Sequence, residues 1–501
     1  MRTIIVLAMV LPAVMSLVAE TETVGDYTWK YSINGDTVEL QFGVSPEPTG
    51  IVVIPSSLGG KPVTSIGRSV FDSCDGLAGV TIPNSVTNIG ESAFSHCSGL
   101  TSVTIPESVI SIGYGAFYNC ENLTNIVVNA GTISNCAFSW CGTAPWNFYR
   151  IPLSLTIGES VTNIGEQAFS FCYGLCDLTI PANVATIGLN AFGDVGVTNL
   201  FIDVEYVGGD GRIFSQCGDA ATLTVVLGDG VKHVGDGFLS QNRIDSLTIG
   251  KNVETIGESA FERCWGLKEV TIPNSVRDIG AYAFTSDFGT DLTKITLGCG
   301  VTNIGAYAFA GNHGVTGLTI PESVQDIGDY AFSHCASLTN VVFDGNAPTI
   351  GAGCFFSDMA DMSCTGYVRR SSTGWGVEIP GVWNGINIQY MTPEMEIATW
   401  LTSFGFAAND LMANGRTAAE CYALGLDPSL ATNDFRIVSI KLVDGKPKVE
   451  WEPKTNRWTG AEIQAVLKGA VTLDGEWKTV EGATAEEKAA MRFFKVVVEV
   501  P

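Results

Sequence analysis

Cysteine is the residue type in this sequence with the widest chemistry, because a thiol can form a disulfide, bind zinc or attack a substrate. The chain has 14 cysteines but only 4 histidines. Zinc sites need tightly spaced ligands such as a Cys-x-x-Cys pair. Cys172 and Cys176 are the closest pair and have no two further ligands nearby. The sequence therefore predicts no metal site and no bound cofactor.

Most of the cysteines recur at one position, three residues after a recurring phenylalanine. They are Cys74, Cys97, Cys120, Cys141, Cys172, Cys217, Cys264 and Cys335. Parallel side chains in one column cannot all pair without disturbing the chain around them, so we expect buried free thiols that act as small apolar residues. The other cysteines are the better disulfide candidates, with Cys354 and Cys364 the first pair to test. They are Cys136, Cys176, Cys299, Cys354, Cys364 and Cys421.

Catalytic side chains form no recognisable motif. There is no Gly-x-Ser-x-Gly elbow and no phosphate-binding glycine motif. The paired acids Asp358 and Asp361 fall in an irregular segment, where a solvated loop is the simpler interpretation. We therefore predict a protein that is not an enzyme. The alternative left open is a glycan-active enzyme whose site lies in the irregular part of the chain.

The cysteines and phenylalanines belong to an internal repeat that organises residues 50–356. The repeat has a usual period of 23 residues, as from Ile66 to Ile89 and Ile112. Its phenylalanines give the count of about thirteen coils. They are Phe71, Phe94, Phe117, Phe138, Phe169, Phe192, Phe214, Phe238, Phe261, Phe284, Phe309, Phe332 and Phe355.

Each coil has two short stretches that alternate apolar and polar residues, which predicts two strands with one face buried. In one coil these are the stretches at Val103–Ile105 and Val109–Ile112. Pro106 lacks a backbone donor and Gly113 tolerates positive φ, so we expect both to form corners. Phe117 then fills the interior. A lone coil cannot bury these residues, so neighbouring coils must stack.

The repeat resembles the BspA-type leucine-rich repeat of bacterial surface proteins, whose pattern is close to Leu-x-x-Val-x-Ile-Pro-x-Ser-Val-x-x-Ile-Gly-x-x-Ala-Phe-x-x-Cys. The segment from Leu100 to Cys120 carries this pattern, which recurs over roughly three hundred residues. The resemblance implies a mainly β leucine-rich-repeat solenoid, displayed at or beyond the cell surface, in a family associated with adhesion and protein binding. It implies no particular ligand.

Irregular coils are the places where a rigid scaffold is expected to carry a binding site. The stretch 140–150 lengthens one coil and contains residue types enriched at binding hot spots, which are Trp140, Trp146, Phe148, Tyr149 and Arg150. These five are the candidate ligand-binding residues. The alternative is an insertion that folds over the solenoid and packs its own aromatics. The segment 194–237, with Glu205, Tyr206 and Asp210, also departs from the repeat.

Two regular columns are weaker candidates. One threonine per coil faces outward from the first strand, which either suits an exposed strand or matches a flat ligand. These are Thr81, Thr104, Thr156, Thr179, Thr248, Thr271, Thr296 and Thr319, interrupted by Val127, Phe201 and Val226. The tyrosines Tyr282, Tyr307 and Tyr330 form the second column, which is either a sugar-stacking strip or a half-buried repeat position.

The sequence at the two ends of the chain predicts four further segments. Residues 1–19 have the layout of a cleaved secretory signal peptide, with cleavage after Ser16 or Ala19 left open. Residues 20–49 contain a hairpin around Asn34–Gly35 that caps the first coil, and residues 357–391 cap the last. Residues 392–501 predict a small α+β module, with helices at 394–404 and 417–424 and strands near the end. Its role is either sorting and attachment or a structural cap.

The net charge of the chain makes some classes of binding partner unfavourable. The 27 Lys and Arg against 52 Asp and Glu give −25 and a pI near 4.4. This charge disfavours nucleic acid and anionic membranes, and no apolar stretch after the leader predicts stable membrane insertion. We expect a secreted or cell-surface adhesion protein that binds an extracellular protein, such as a host protein, or a glycan. A surface-coat spacer without a specific ligand is the structural alternative.

Overall fold

The computed structural model describes residues 19–142, 151–208, 213–214, 223–286, 292–356 and 364–392, and the backbone of five strands between residues 436 and 499. Every regular element in these ranges is a β-strand. The prediction of a mainly β solenoid is confirmed. The helices predicted at 394–404 and 417–424 lie outside the described residues.

Each coil begins with a first strand whose alternate side chains point inward. The first strands are Gly50–Val53, Leu77–Thr81, Ser102–Ile105, Asn125–Val128, Ser154–Ile157, Asp177–Ile180, Asn199–Ile202, Thr224–Leu227, Ser246–Thr248, Glu269–Thr271, Lys294–Thr296, Gly317–Ile320 and Asn340–Phe343. Paired first strands run parallel in matched register, so that Val103 lies opposite Ile126 and Ile126 opposite Leu155. The outward threonine column thus lies on the surface of this face.

A second strand follows in every coil and builds a second parallel face, and it has two residues in every coil except the first, where it has six. The second strands are Lys61–Ile66, Asn88–Ile89, Ser111–Ile112, Thr132–Ile133, Asn163–Ile164, Thr186–Ile187, Tyr206–Val207, His233–Val234, Thr255–Ile256, Asp278–Ile279, Asn303–Ile304, Asp326–Ile327 and Thr349–Ile350. Their isoleucines and valines are buried or nearly so, and their polar partners face outward. Each of the thirteen predicted coils therefore has both strands.

Strands outside the repeat cover the two ends of the stack. Three strands before the first coil form an antiparallel sheet, and they are Glu20–Val24, Tyr27–Asn34 and Thr37–Leu40. Thr37–Leu40 also pairs in parallel with Lys61–Ile66, the second strand of the first coil. A short strand, Ser57–Leu58, also pairs with that second strand. After the last coil come Thr365–Val368, Gly381–Trp383 and Ile386–Tyr390. The middle one turns back antiparallel and ends the sheet.

The C-terminal strands form two small antiparallel sheets. One pairs Arg436–Val443 with Lys446–Glu452. The other joins Gln464–Ala470 to Lys478–Thr479 and to Phe493–Glu499. Three of these strands match the runs that the sequence predicts at 435–443, 448–451 and 492–500, whereas Gln464–Ala470 and Lys478–Thr479 were not predicted.

The interior is built on the stacked rings of the repeat phenylalanines. Phe71, Phe94 and Phe117 are fully buried, with ring centroids 4.8 and 4.9 Å apart and ring planes within 6° of parallel. This spacing matches the distance of about 4.8 Å between hydrogen-bonded strands. The ring stack therefore has the same repeat as the backbone ladder, and both are satisfied by one geometry.

The predicted phenylalanine column is wrong at one coil. Leu239, rather than Phe238, has the backbone position of the repeat phenylalanine, because Leu239 N donates to Ala260 O just as Phe261 N donates to Ala283 O. Phe238 takes the preceding position, where most coils have alanine. Its ring reaches the column edge-on, 6.0 Å from Phe261 with an interplanar angle of 88°. Phe238 and Leu239 together fill the part of the interior that the repeat phenylalanine fills in other coils.

The glycine after the second strand has a different role from the predicted one. Gly113 has no left-handed φ, but a Cβ on it would lie 2.7 Å from Glu91 N and from the carbonyl carbon of Gly90. Its absence of a side chain allows successive coils to approach. The left-handed residue is Gly115, two positions later, with φ of 57°. Other coils place Ser, Gln, Asn, Cys or Tyr at that position.

Phe261→Ala should destabilise the protein by about 3–5 kcal/mol, because it removes a buried ring and leaves a cavity between coils. Thermal or denaturant unfolding measures the change. Phe42→Ala is the matched control, since Phe42 is 63% exposed and its truncation should change stability by less than about 0.5 kcal/mol. Equal stability of the two variants would show that the column is not the core.

Candidate functional site: the turn edge of the solenoid

The turn edge is the part of each coil from the glycine after the second strand to the cysteine position. It contains two left-handed residues, one before and one after the buried Ala-Phe pair. In the first coil these are Ser69, with φ of 54°, and Ser73, with φ of 60°. Non-glycine residues seldom adopt this conformation and it costs energy, so its recurrence requires support from neighbouring coils. That support is the ladder of backbone hydrogen bonds, such as Ser69 N to Glu91 O at 3.0 Å and Ser73 N to Ser95 O at 2.8 Å.

The cysteine column lies behind this edge and consists of free thiols in the described part of the chain. From Cys97 onward, each described column thiol donates to the carbonyl oxygen of the residue at the phenylalanine position of the preceding coil. The distances are 3.0 Å from Cys97 Sγ to Phe71 O and 3.2 Å from Cys120 Sγ to Phe94 O. The column therefore supplies hydrogen-bond donors to buried carbonyl groups, which is more than the apolar filling that the sequence predicts.

Two coils have asparagine in place of the cysteine and keep the same hydrogen bond. Asn242 Nδ2 donates to Phe214 O at 3.1 Å, and Asn312 Nδ2 donates to Phe284 O at 2.9 Å. Both side chains are buried. Cysteine and asparagine thus serve as alternative donors at this position, and Val195 shows that a buried apolar side chain can also occupy it. Cys217, which was also predicted for the column, lies outside the described residues.

Burial disfavours the reactive thiolate form of several column thiols. Burial raises the pKa of Cys172 to about 12 and, by the same cause, that of Cys74 to about 11. The predicted disulfide candidates Cys354 and Cys364 are likewise buried free thiols, and burial raises the pKa of Cys354 to about 12. Cys299 is exposed. Among the described residues, no three His, Cys, Asp or Glu side chains are grouped so that they could hold a metal ion.

An aromatic cluster occupies the turn edge where the predicted insertion begins. Trp140 and Phe171 stack with ring centroids 4.4 Å apart and an interplanar angle of 19°. Tyr173 contacts both rings edge-on, at 6.3 Å from each. Trp140 and Phe171 occupy the second left-handed position in consecutive coils, with φ of 64° and 60°. We call these three residues the aromatic cluster.

The cluster rests on a rigid base. Trp140 N donates to Ser170 O and Phe171 N to Gly193 O, each at 2.9 Å. Ser139 and Ser170 directly precede Trp140 and Phe171 in the chain, and their buried hydroxyls lie 2.5 Å apart. The rings are only partly covered, and Tyr173 is 37% exposed. Burial, and then the nearby charge of Asp194, raise the pKa of Tyr173. Its phenol therefore remains a hydrogen-bond donor at neutral pH.

Of the candidate residues predicted from the sequence, Trp140 is in the cluster, and Trp146, Phe148, Tyr149 and Arg150 lie outside the described residues. Phe171 and Tyr173 were missed. The signal that could have found them is the repeat alignment, because Trp140 and Phe171 both lie two residues after a repeat phenylalanine. The same edge extends to His96 and Tyr118, whose rings meet edge-on at 5.7 Å.

Of the other candidates from the sequence, Glu205 and Tyr206 contact residues of the following coil. Glu205 forms a salt bridge of 2.7 Å with Lys232 of the following coil, which lowers the pKa of Glu205 through its hydrogen bond to Lys232. Tyr206 lies over Gly235, where a Cβ would be 2.8 Å from its hydroxyl. Asp210 lies outside the described residues. The threonine column is at the surface of the first-strand face and is small and polar.

A family model described as a BspA type leucine-rich repeat region matches the chain in six copies, over residues 64–151, 147–265 and 232–362. Together these cover more than half of the 501 residues. No curated protein matches the chain. None of the described residues forms a helix long and apolar enough to cross a membrane.

Solved structures with similar chains come from several bacteria. A leucine-rich repeat protein from Bacteroides ovatus is 22% identical, with 74% of this chain and 100% of that chain covered and a TM-score of 0.44. A leucine-rich cell surface protein from Faecalibacterium prausnitzii is 24% identical, with 65% and 95% covered and a TM-score of 0.28. The pneumococcal vaccine antigen PcpA is 16% identical, with 75% and 99% covered and a TM-score of 0.31.

Native protein at pH 8 should resist iodoacetamide at the column cysteines and react at Cys299. Alkylation requires the thiolate, and a thiol whose pKa has risen to about 12, as at Cys172, is ionised in less than about one molecule in a thousand at pH 8. Mass-spectrometric thiol mapping before and after unfolding measures this. A disulfide between Cys97 and Cys120 in protein purified without reductant would contradict the donor ladder.

Proposed function

Because this chain belongs to the BspA-type leucine-rich repeat family, we propose that it is an exported binding protein that captures an extracellular protein or glycan through the aromatic cluster on its turn edge. Residues 1–19 act in this proposal as a signal peptide that is removed on export. The net charge of −25 favours partners other than nucleic acid and anionic lipid.

The observation that carries the proposal is the placement of large rings at positions where other coils have small or polar side chains. The second left-handed position holds Ser73 and Asn119 in two of the coils before the cluster and Gln241 after it. The left-handed φ at this position is common to the coils, but the fold does not require an aromatic side chain there, and the rings of Trp140 and Phe171 remain partly exposed. Large apolar side chains that stay partly exposed and lie together on a surface are candidates for a binding site.

Aromatic side chains at such a place suit recognition. Trp and Tyr are enriched among the residues that dominate binding energy, because each buries a large area at low cost in conformational entropy. Tyr173 adds a phenol donor beside the carboxylate of Asp194. The cluster thus offers an apolar surface with a polar rim, which is the usual composition of a binding site for a protein or a sugar.

The rigid backbone favours the cluster further. The backbones of Trp140 and Phe171 are held by hydrogen bonds to the next coil, so these two residues lose little freedom when a partner binds. The first-strand face offers a contrast, since most of its outward positions hold small threonines, with Val127, Phe201 and Val226 as exceptions. A surface of that kind fits a broad contact but provides few anchors.

The experiment uses the mature protein, residues 20–501, tested for binding on a glycan array and on immobilised extracellular matrix proteins. Once a partner is found, Trp140→Ala with Tyr173→Ala should weaken binding by at least about 30-fold, because truncation of one hot-spot aromatic costs about 2 kcal/mol or more. Trp146→Ala with Tyr149→Ala, in the adjoining stretch, should have a comparable effect. Surface plasmon resonance measures the dissociation constants.

Thr271→Ser with Thr296→Ser is the matched control on the first-strand face and should leave affinity within about twofold. All variants should melt close to the unchanged protein. Equal losses in the aromatic and threonine variants, or loss in the threonine variant alone, would move the site to the first-strand face. Absence of any partner would favour the surface-coat spacer.

A further inference from the structure

Three consecutive coils carry tyrosine at the first left-handed position of the turn edge. Tyr282, Tyr307 and Tyr330 have φ of 58°, 57° and 55°. Serine, glycine or another residue serves at this position elsewhere, for example Ser69, Ser92 and Gly237. A bulky residue with positive φ is uncommon and strained, so the fold itself gives no reason for tyrosine.

The three rings form a ladder. Tyr282 and Tyr307 stack with centroids 5.0 Å apart and planes 3° from parallel, and Tyr307 and Tyr330 stack at 5.0 Å and 16°. Both faces of the Tyr307 ring are consequently covered by its neighbours. A continuous sugar-stacking strip, one of the two interpretations of this column, is therefore excluded at the middle of the ladder.

The two ends of the ladder differ. Beyond Tyr330 the next coil has Gly353, and a Cβ there would lie 2.4 Å from Cε1 of the Tyr330 ring, so this ring packs directly against the glycine backbone. Before Tyr282 the preceding coil has Ser259, with the same left-handed φ of 54°. Its hydroxymethyl group is far smaller than a ring. Among the described residues, Tyr307 is the one aromatic residue in ring contact with Tyr282, which is 37% exposed.

Ser259 and Tyr282 therefore lie one coil apart, and among the described residues no ring stacks on the face of Tyr282 on the Ser259 side. The backbones are joined here by the hydrogen bond from Ser259 N to Ala281 O, at 2.8 Å. We call the space over Ser259, beside the outer face of Tyr282, the ring slot. Its width matches the separation of about 5 Å that two stacked rings adopt.

We propose that the ring slot binds a pyranose ring of a neutral glycan, which stacks on the outer face of Tyr282. The negative ring face of tyrosine attracts the polarised C–H groups on the flat side of a sugar. The slot belongs to different coils from the aromatic cluster and does not depend on that proposal.

The polar groups around the slot select a sugar over an apolar ring. Ser259 provides a hydroxyl, and the exposed Glu258 precedes it directly in the chain. Glu262 lies in the same turn, with its N donating to Ser259 O at 3.1 Å. Carboxylates accept strong hydrogen bonds from sugar hydroxyls. An aromatic side chain would remove water from the carboxylates without donating a hydrogen bond in its place. The exposed carboxylate of Glu258 disfavours an acidic sugar, whereas Glu262 is paired with Arg263 at 3.6 Å.

The test measures binding of cellohexaose, chitohexaose, maltohexaose and laminarihexaose to mature protein by isothermal titration calorimetry. At least one hexaose should bind, and Tyr282→Ala should weaken that binding by about tenfold, whereas Tyr282→Phe should retain it because the ring face remains. Tyr114→Ala is the matched control, since Tyr114 is an exposed tyrosine of another coil.

The variant Ser259→Tyr tests the same proposal without removing a ring, in case Tyr282→Ala unfolds the protein. Tyrosine is accepted at this position and φ in three other coils, so the variant should fold and fill the slot with its own ring. It should then lose hexaose binding by about tenfold or more while melting at or above the unchanged protein. Binding unaffected by Ser259→Tyr, or no binding of any hexaose, would overturn the proposal. Failure here with retained partner binding at the aromatic cluster would leave the proposed function intact.

Discussion

The structure depends on one constraint, which is that the backbone of each coil is hydrogen-bonded to the equivalent position of the next. Phe71 N donates to Ala93 O, and Phe94 N donates to Ala116 O. A side chain therefore lies one strand spacing from its counterparts on either side. Equivalent residues of successive coils therefore stack into columns, and the side chains of each column must pack against one another and satisfy their own hydrogen bonds. The phenylalanine stack meets this requirement with rings and the cysteine column meets it with donors.

The columns also explain how surface sites arise without disturbing the core. The left-handed positions point away from the buried Ala-Phe pair, and their backbone is held whatever side chain they carry. Ser73, Trp140 and Gln241 all occupy the second of these positions with φ between 60° and 64°. A ring placed there finds a neighbour at stacking distance only when the adjacent coil also carries one. Aromatic clusters on this edge are thus pairs or ladders by construction.

Much of this fold could be predicted from the sequence, because the repeat is local and strongly periodic. The thirteen coils, the buried phenylalanines and the free thiols all follow from spacing alone. The exchange at Phe238 and Leu239 was missed because the prediction followed residue type instead of spacing, since Leu239 lies five residues after Val234 just as Phe261 lies five residues after Ile256. The need for glycine at Gly113 arises from the backbone of the preceding coil. That contact is invisible in any single repeat.

The candidate site was predicted less completely, for a related reason. Trp140 is conspicuous as an aromatic beside an irregular stretch, but Phe171 lies in a regular coil and becomes its partner only through stacking. The hydrogen bond of the cysteine column is likewise a contact between coils. Asn242 and Asn312 reveal it, because they share the donor and not the thiol. Sequence patterns within a coil report burial better than they report which group bonds to which.

The stacking of coils has a mechanical consequence. Since each coil is bonded only to its two neighbours, a pulling force applied between the ends is carried through every interface in series, and the end interfaces have the least support. Under such a load the solenoid would peel coil by coil instead of rupturing at once. Each released coil of roughly 23 residues would add up to about 75–80 Å of slack chain. A tether built in this way yields gradually and keeps the remaining coils, with the side chains they display, in place while it extends.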